Sequence, residues 1–353
     1  MASTPTSGAE RLRRSWWLTQ LGLGTLVGML ALAWAIRGLD WRSTLNALTT
    51  AQYIWVGVSL LCVFAVALIK TARWGALYGI SEEPTSFADL FSALMITQMV
   101  NVVIPIRIGE VIRIGLMKQS GQPGAATLST IAIEKAMDLV AAGLLAVAVV
   151  VLTVAPGWLQ NWAGSVLILG LVIVIGFALV WYLRSWIELF LRRTLRVASG
   201  GWLPESWQAR LLRIVHTLLH TFGALTTWTI LARILFWTTL SWLVSLLSLF
   251  ALFLAFGLQA PLAATAVLML SINFSNIVPS PPALVGIMQA IVVVVLGGYG
   301  FPQPVALGFG IVLNVITVAP LILLGSLGLG QRAVSLMQFI RKGPWGHLWG
   351  NHP

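Results

Sequence analysis

Long apolar runs separated by short polar stretches dominate the hydrophobic pattern of this chain. A helix needs about 20 apolar residues to cross a hydrocarbon core about 30 Å thick, and several of the runs reach or approach that length. The pattern therefore predicts helices that enter or cross a membrane. The predicted segments are 17–36, 54–80, 88–104, 125–152, 164–184, 232–257, 262–278, 284–300 and 304–328.

Composition agrees with this pattern. Of the 353 residues, 58% are hydrophobic and only 9% are charged, whereas soluble proteins carry about 25% charged residues. The net charge of +11 would suit a nucleic-acid-binding protein, but in a membrane protein it is better explained by orientation and by contact with anionic lipids. We therefore predict an all-α polytopic protein of the cytoplasmic (inner) cell membrane, with no nucleic-acid partner.

The distribution of basic residues predicts the orientation of the helices, because Lys and Arg are enriched in cytoplasmic loops. They cluster before the first segment, in the connector 185–231 and in the tail 331–353, and they are absent from the loops 153–163, 257–261 and 297–303. Both termini are therefore predicted to be cytoplasmic. The second half of the connector combines helical apolar spacing with a basic opposite face, which is typical of a helix in the membrane interface.

The order of the segments predicts an inverted repeat within a single membrane domain, 1–353. Residues 17–152 and residues 164–328 each read as span, span, hairpin, span, and the two halves point in opposite directions. Inverted repeats with broken helices are typical of secondary transporters, whose binding site lies near the midplane of the membrane.

The two hairpins of this repeat are 88–117 and 262–300. Either two full crossings or a re-entrant path at each hairpin leaves both termini on the same side of the membrane. We favour re-entrant hairpins, because 105–117 carries three charges and because the prolines in 279–282 would break a spanning helix.

Charged residues follow the break in the first hairpin, in the sequence VIPIRIGEVIR. Arg107, Glu110 and Arg113 are spaced three apart, so neighbouring pairs can meet on a helix surface. In the next span, Glu134 and Asp138 are at i, i+4 on one face with Lys135 beside them. Each such charge costs about 2.5–3.5 kcal/mol at the centre of a membrane helix, so these six residues are predicted to pair with one another or to line a wet cavity.

This charged cluster has two interpretations. It is either a neutral structural network that pins the hairpin to the next span, or a binding site, which we favour because buried ion pairs are often no more stabilising than apolar packing. In a binding site the two arginines would contact phosphate oxygens, and the three acids would orient them or carry protons. Lys70 and Arg73 are predicted to extend from the second span to lipid phosphates at the interface.

Polar amides accompany the breaks in both hairpins. Asn101 precedes the first break, Asn276 and Gln289 flank the second, and Asn314 occupies the last span at roughly the place of Glu134 in the first half. These amides either contact a headgroup or satisfy backbone groups that the breaks leave free. The residues predicted to form the breaks, as structural hinges, are Pro105, Gly109, Pro279, Pro281, Pro282 and Gly286.

The first block, NVVIPIRIGEVIRIG followed by IEKAMD, resembles a motif of the lysylphosphatidylglycerol synthase transmembrane, or flippase-like, family. The second block, VPSPPALVGIMQA, is similar to that family's second motif, with Pro282 where Gly is usual and Gln289 where Glu or His is frequent. The residues that the resemblance marks are Asn101, Pro105, Arg107, Gly109, Glu110, Arg113, Glu134, Asp138, Pro279, Pro281 and Gly286.

The resemblance implies a flippase-like lipid transporter that moves an anionic phospholipid or a polyprenyl-phosphate-linked lipid between leaflets through a charged cavity. Its partners would be membrane lipids and a lipid-modifying synthase or glycosyltransferase. The alternatives are a proton-coupled carrier of a small anionic solute and a membrane enzyme that acts on lipid phosphates. No zinc-ligand cluster or phosphate-binding Gly-rich loop occurs in the sequence, so we predict neither metal nor cofactor.

Overall fold

The structure is a computed structural model. It describes residue 26 and residues 28–38, 40–78, 85–104, 108–152, 228–259, 261–275 and 281–342, together with separate positions between 164 and 193. Side chains of the last helix are described as far as Leu329 and Gly330. Within these residues the regular structure is helical and contains no strand, as the sequence predicts.

Nine α-helices have complete bounds in the described part of the chain. They are α1 (Trp41–Thr49), α2 (Tyr53–Tyr78), α3 (Phe87–Val103), α4 (Gly109–Gln119), α5 (Gly124–Leu152), α6 (Trp228–Ala255), α7 (Leu262–Ser275), α8 (Ile287–Gly298) and α9 (Gln303–Lys342). A short 3₁₀ turn, Pro282–Leu284, precedes α8.

Four of these helices are long and apolar enough to cross a membrane: α2, α5, α6 and the Gln303–Gly330 part of α9. Large apolar side chains such as Ile54 and Leu152, 73% and 78% exposed, stand on their outer surfaces. Such exposure is unfavourable in water and is expected on a surface that faces lipid. The chain is therefore an integral membrane protein, as the sequence predicts.

Three shorter apolar helices, α3, α7 and α8, occupy the predicted hairpins. They contain 17, 14 and 12 residues, which correspond to about 25, 21 and 18 Å of helix. These lengths are below the roughly 30 Å of a hydrocarbon core. Whether the hairpins are re-entrant stays a prediction.

The structure differs from the predicted segments at two places. Hydropathy gave no element between the first two spans, where the structure has α1, because this polar helix has no long apolar run. The last helix does not end at the predicted boundary near residue 328 but continues to Lys342, so that the beginning of the predicted tail is helical. The first predicted span and the connector 185–231 lie largely outside the described residues.

The chain divides into two compact units. The first unit lies within Met1–Ala65, Met95–Gly109 and Val244–Leu327, and the second within Val66–Leu94, Glu110–Leu243 and Gly328–Pro353. Each unit takes residues from both predicted repeats, so compact packing does not follow the halves of the sequence. The inverted repeat and the cytoplasmic termini stay predictions.

The first unit has an apolar core and, beside it, a crossing of two helices that is held by serine side chains. Phe253 and Phe309 are fully buried with ring centroids 4.8 Å apart. Beside this core, the Ser59 hydroxyl donates to the Ser248 carbonyl at 2.8 Å, and the Ser248 hydroxyl donates to the Ser59 carbonyl at 3.0 Å. Small hydroxyl residues of this kind let two helix backbones approach closely in a membrane.

Candidate functional site

The centre of the candidate site is a set of charged side chains in the second unit, carried by α2, α4 and α5. Arg73 donates to both oxygens of Asp138, at 2.5 and 3.2 Å, and its Nη2 lies 3.5 Å from Oε1 of Glu134. Arg113 donates to the other oxygen of Glu134 at 2.9 Å. Glu134 therefore lies between two guanidinium groups, and we refer to these four residues as the buried ion-pair network.

Helical spacing explains how α5 presents both acids of this network. Residues four apart lie on the same face of a helix, so Glu134 and Asp138 both reach Arg73 on the neighbouring helix. Arg73 and Arg113 are only 1% and 2% exposed, whereas the Asp138 side chain is 31% exposed. Charges buried to this degree require partners, and the two arginines and two acids compensate one another.

An aromatic and hydroxyl cluster supports Arg113 from the other side. Its guanidinium carbon lies 3.5 Å from the centroid of the Trp74 ring, a cation–π contact. The Trp74 indole N–H donates to Thr130 at 3.0 Å, and the Tyr78 hydroxyl donates to Thr127 at 2.5 Å. All of these side chains are buried. The orientation of Arg113 is therefore fixed by Trp74 as well as by Glu134.

A second, more open ion pair lies at the edge of the same unit. Lys135 Nζ is 3.7 Å from Oε1 of Glu110, and the two side chains are 58% and 28% exposed. An exposed pair of this kind contributes little to stability, typically less than 1 kcal/mol. Its side chains can therefore exchange partners at low cost.

Two donor groups of the network are left over. Nε of Arg73 and Nε of Arg113 are buried and have no hydrogen-bond partner among the described residues. Leaving a buried donor unsatisfied usually costs about 1–3 kcal/mol. The network can thus offer further hydrogen bonds to an acceptor that enters it.

The break in the first hairpin is closed by an amide, within the first unit. The Gly109 backbone N–H donates to the Asn101 side-chain oxygen at 2.9 Å, and the Thr97 hydroxyl donates to the Gly109 carbonyl at 3.3 Å. A Cβ at Gly109 would overlap the Asn101 side chain and the Thr97 carbonyl. Gly109 is therefore required for this close approach. Pro105 and Arg107 lie outside the described residues.

The break in the second hairpin, also in the first unit, is closed in a comparable way. The Gly286 N–H donates to the Gln289 side-chain oxygen at 2.7 Å, and the Asn314 amide donates to the Ala283 carbonyl at 2.8 Å. Gly286 has a φ of 87°, and a Cβ there would overlap the carbonyl of Gly28, in the helical residues 28–35. A side chain is therefore excluded at Gly286 for two separate reasons.

The prolines of this break are only partly described. Pro281 is buried and precedes the 3₁₀ turn that Pro282 begins. Ala283 and Leu284 have φ values of 58° and 56°, which are unfavourable for residues with a side chain. Asn276 and Pro279 lie outside the described residues.

The structure brings together five of the six charged residues of the predicted cluster within the second unit: Glu110, Arg113, Glu134, Lys135 and Asp138. The amides of Asn101, Gln289 and Asn314 bond to backbone groups in the first unit.

Arg73 is the network residue that the sequence analysis placed wrongly. It was predicted to extend to lipid phosphates at the interface, but it is almost fully buried and binds Asp138 and Glu134. A count of charges could have revealed this, because two acids on one face of α5 need two buried cations. Trp74 was also missed, since one tryptophan among seventeen gives no sequence signal of a contact with Arg113.

These features define an integral membrane protein with a charged network buried in its spanning helices. The chain belongs to the family described as lysylphosphatidylglycerol synthase TM region, whose sequence profile matches residues 21–325. This membership confirms the resemblance of the two hairpin motifs and is consistent with a lipid-related role in the membrane. No curated protein and no solved structure matches the chain.

Proposed function

We propose that this protein translocates an anionic lipid, a phospholipid or a polyprenyl-phosphate-linked lipid, between the leaflets of the inner cell membrane. The observation that carries the proposal is the position of Glu134, on the candidate span α5, between Arg73 of the candidate span α2 and Arg113 of α4. Membership of a lipid-related membrane family supports it.

The energetics of the network favour binding over a purely structural role. Four charges within membrane helices are costly, and apolar residues of similar volume would stabilise the same helix contact at least as well. Guanidinium groups match the geometry of phosphate oxygens. A headgroup phosphate can therefore take the place of a carboxylate beside Arg73 or Arg113, and the carboxylate returns when the lipid leaves.

The contrast between the buried ion-pair network and the more open Glu110–Lys135 pair favours an exchange in which a phosphate replaces a carboxylate beside an arginine. Asp138 is the more exposed acid of the network, so a phosphate approaching from that edge meets the Arg73–Asp138 pair first. Arg113 keeps its contact with Trp74 throughout. In this proposal Arg113 is a fixed anion-binding group, and Arg73 changes partner.

The proposed architecture follows the predicted repeat. Its elements are two inverted repeats, two re-entrant hairpins, cytoplasmic termini and a site near the midplane. The short lengths of α3, α7 and α8 support the hairpins. The side-chain amides that close both breaks would keep the hinges intact during transport. The lipid itself would be produced by a partner, a synthase or glycosyltransferase.

The test is headgroup transfer in proteoliposomes that contain a fluorescent phosphatidylglycerol or a fluorescent polyprenyl phosphate. Glu134→Gln and Arg113→Lys should each slow transfer at least about tenfold, because each removes a charge-assisted contact of the network. Lys118→Gln is the matched control, since Lys118 is an exposed residue at the end of α4. Transfer of both lipids by the two network variants at the wild-type rate would contradict the proposal.

A further inference from the structure

Lys70 is the one residue near the buried ion-pair network whose charge the described contacts leave unmatched. It lies on α2 three residues before Arg73, on the same face of the helix, and it is half-buried. Among the described residues, no acid lies within ion-pair distance of its ammonium group.

Among the described residues of this cluster, a charge count gives one positive charge in excess. Each acid already has a cation: Asp138 binds Arg73, Glu134 binds Arg73 and Arg113, and Glu110 binds Lys135. Four cations, with Lys70, therefore face three anions. The additional positive charge is that of Lys70.

This excess charge is not easily compensated by extension of the Lys70 side chain to the membrane interface. Lys70 lies eight positions before Tyr78, the last residue of α2, which is about 12 Å of helix. A cation within a spanning helix is unfavourable unless an anion or water compensates it. The more exposed edge of the network is near, because Asp138 binds Arg73, which shares a face of α2 with Lys70.

We infer that Lys70 binds the phosphate of the transported headgroup and supplies the positive charge that the described acids of the network leave unmatched. This inference rests on the proposed function and names the residue of the same site that selects a phosphate-bearing, net anionic headgroup. Arg73 and Arg113 remain held by Asp138 and Glu134 until a phosphate, bound first at Lys70, reaches their two unpartnered Nε–H groups.

The experiment measures binding to the purified full-length protein in detergent, with fluorescent phosphatidylglycerol as one probe and inorganic phosphate as its competitor. The variants are Lys70→Gln, which removes the charge, and Lys70→Arg, which keeps it. Lys118→Gln is again the matched control, since it removes a lysine from the same unit outside the network. Size-exclusion profiles exclude misfolded variants.

We expect Lys70→Gln to weaken lipid binding roughly tenfold, Lys70→Arg to remain within about threefold of wild type, and the control to be unchanged. If inorganic phosphate at millimolar concentration competes with the lipid, the site binds phosphate alone. If it does not compete, the site also requires the lipid tail. Both results support Lys70 as the phosphate contact if the variants behave as stated. Equal binding by wild type and Lys70→Gln overturns the inference.

A charge-balanced variant separates ligand binding from a structural role, and it also covers misfolding of Lys70→Gln. If Lys70 merely offsets Asp138, Lys70→Gln has no effect on binding when it is introduced into an Asp138→Asn background, which would overturn the inference. If Lys70 contacts the phosphate, Lys70→Gln weakens binding in the Asp138→Asn background as it does in wild type. Failure of the proposed function gives a different result from failure of this inference. In that case wild type binds the lipid in a Lys70-dependent manner but transfers none in proteoliposomes.

Discussion

Arg73 and Asp138, 65 residues apart in sequence, form a two-pronged ion pair in which each terminal nitrogen of the guanidinium donates to a different carboxylate oxygen. The same guanidinium also approaches Glu134. Removal of either Arg73 or Asp138 leaves an uncompensated charge inside the membrane, whereas removal of both residues does not. The predictions for the network follow from this asymmetry.

Replacement of Arg73 alone should be severely destabilising. Arg73→Met leaves Asp138 without an ion-pair partner among the described residues, and an uncompensated buried charge costs about 3–5 kcal/mol. Adding Asp138→Leu should recover most of the loss, because Arg113 and Glu134 still balance each other. The free energy of unfolding in detergent, measured by denaturant titration, checks this. Equal losses in the single and double variants would contradict the described pairing.

The indole of Trp74 should contribute to stability through both its ring face, which contacts Arg113, and its N–H group, which donates to Thr130. Thr130→Val leaves the indole N–H without its acceptor and should cost about 1–3 kcal/mol. Trp74→Phe keeps a ring beneath Arg113 and removes the donor, so the two substitutions together should cost less than the sum of their separate costs. A double-mutant cycle on unfolding free energies measures this coupling. Strictly additive effects would contradict the Trp74–Thr130 hydrogen bond.

Gly286 should tolerate no side chain. Gly286→Ala combines a φ of 87° with overlap between the new Cβ and the Gly28 carbonyl, so a loss of at least about 1–2 kcal/mol is expected from the backbone conformation alone. Gly298→Ala is the matched control, since open space surrounds a Cβ at that position. Thermal unfolding of both variants tests the close approach. Equal melting temperatures would show that the segment that carries Gly28 does not contact this break.

The paired serines of α2 and α6 should make only a modest contribution. Ser59→Ala and Ser248→Ala each remove one hydroxyl that donates to a carbonyl of the other helix. Hydrogen bonds of this type in membrane proteins average about 0.6 kcal/mol and reach about 1.7 kcal/mol. Ser59→Leu should be far worse, because Ser59 is fully buried at a close helix crossing. Unfolding in detergent should rank the variants in that order.

Stability of α1 should depend on pH through its N-terminal cap. Hydrogen bonds from the Ser43 hydroxyl and the Arg42 backbone N–H lower the pKa of the Asp40 carboxyl below its ordinary value of 3.8. The stabilisation is therefore present above about pH 3.8 and is lost as the pH falls through the lowered pKa. Asp40→Asn keeps a capping side chain without the titration. Amide exchange in α1 should be measured in wild type and in Asp40→Asn at each pH. The exchange rates of the two proteins should differ only in acid.

The spanning helices could be read from the sequence because their length and apolar character are local properties. The predicted segment 125–152 and α5, Gly124–Leu152, differ by one residue at their start. The shared face of Glu134 and Asp138 could also be read, because helical geometry fixes the relation between residues four apart. The small helix α1 was missed, since neither length nor hydropathy distinguishes a short polar helix from a loop.

The sequence by itself determined that this chain is a helical membrane protein, which family it belongs to and which segments carry its charges. Only the tertiary structure decided that Arg73 pairs with Asp138, that Trp74 lies beneath Arg113 and that Gly286 meets Gly28. The physical reason is that a residue's face on its own helix follows from local geometry. Its partner on another helix depends on how the helices pack, and no spacing along the chain encodes that packing directly.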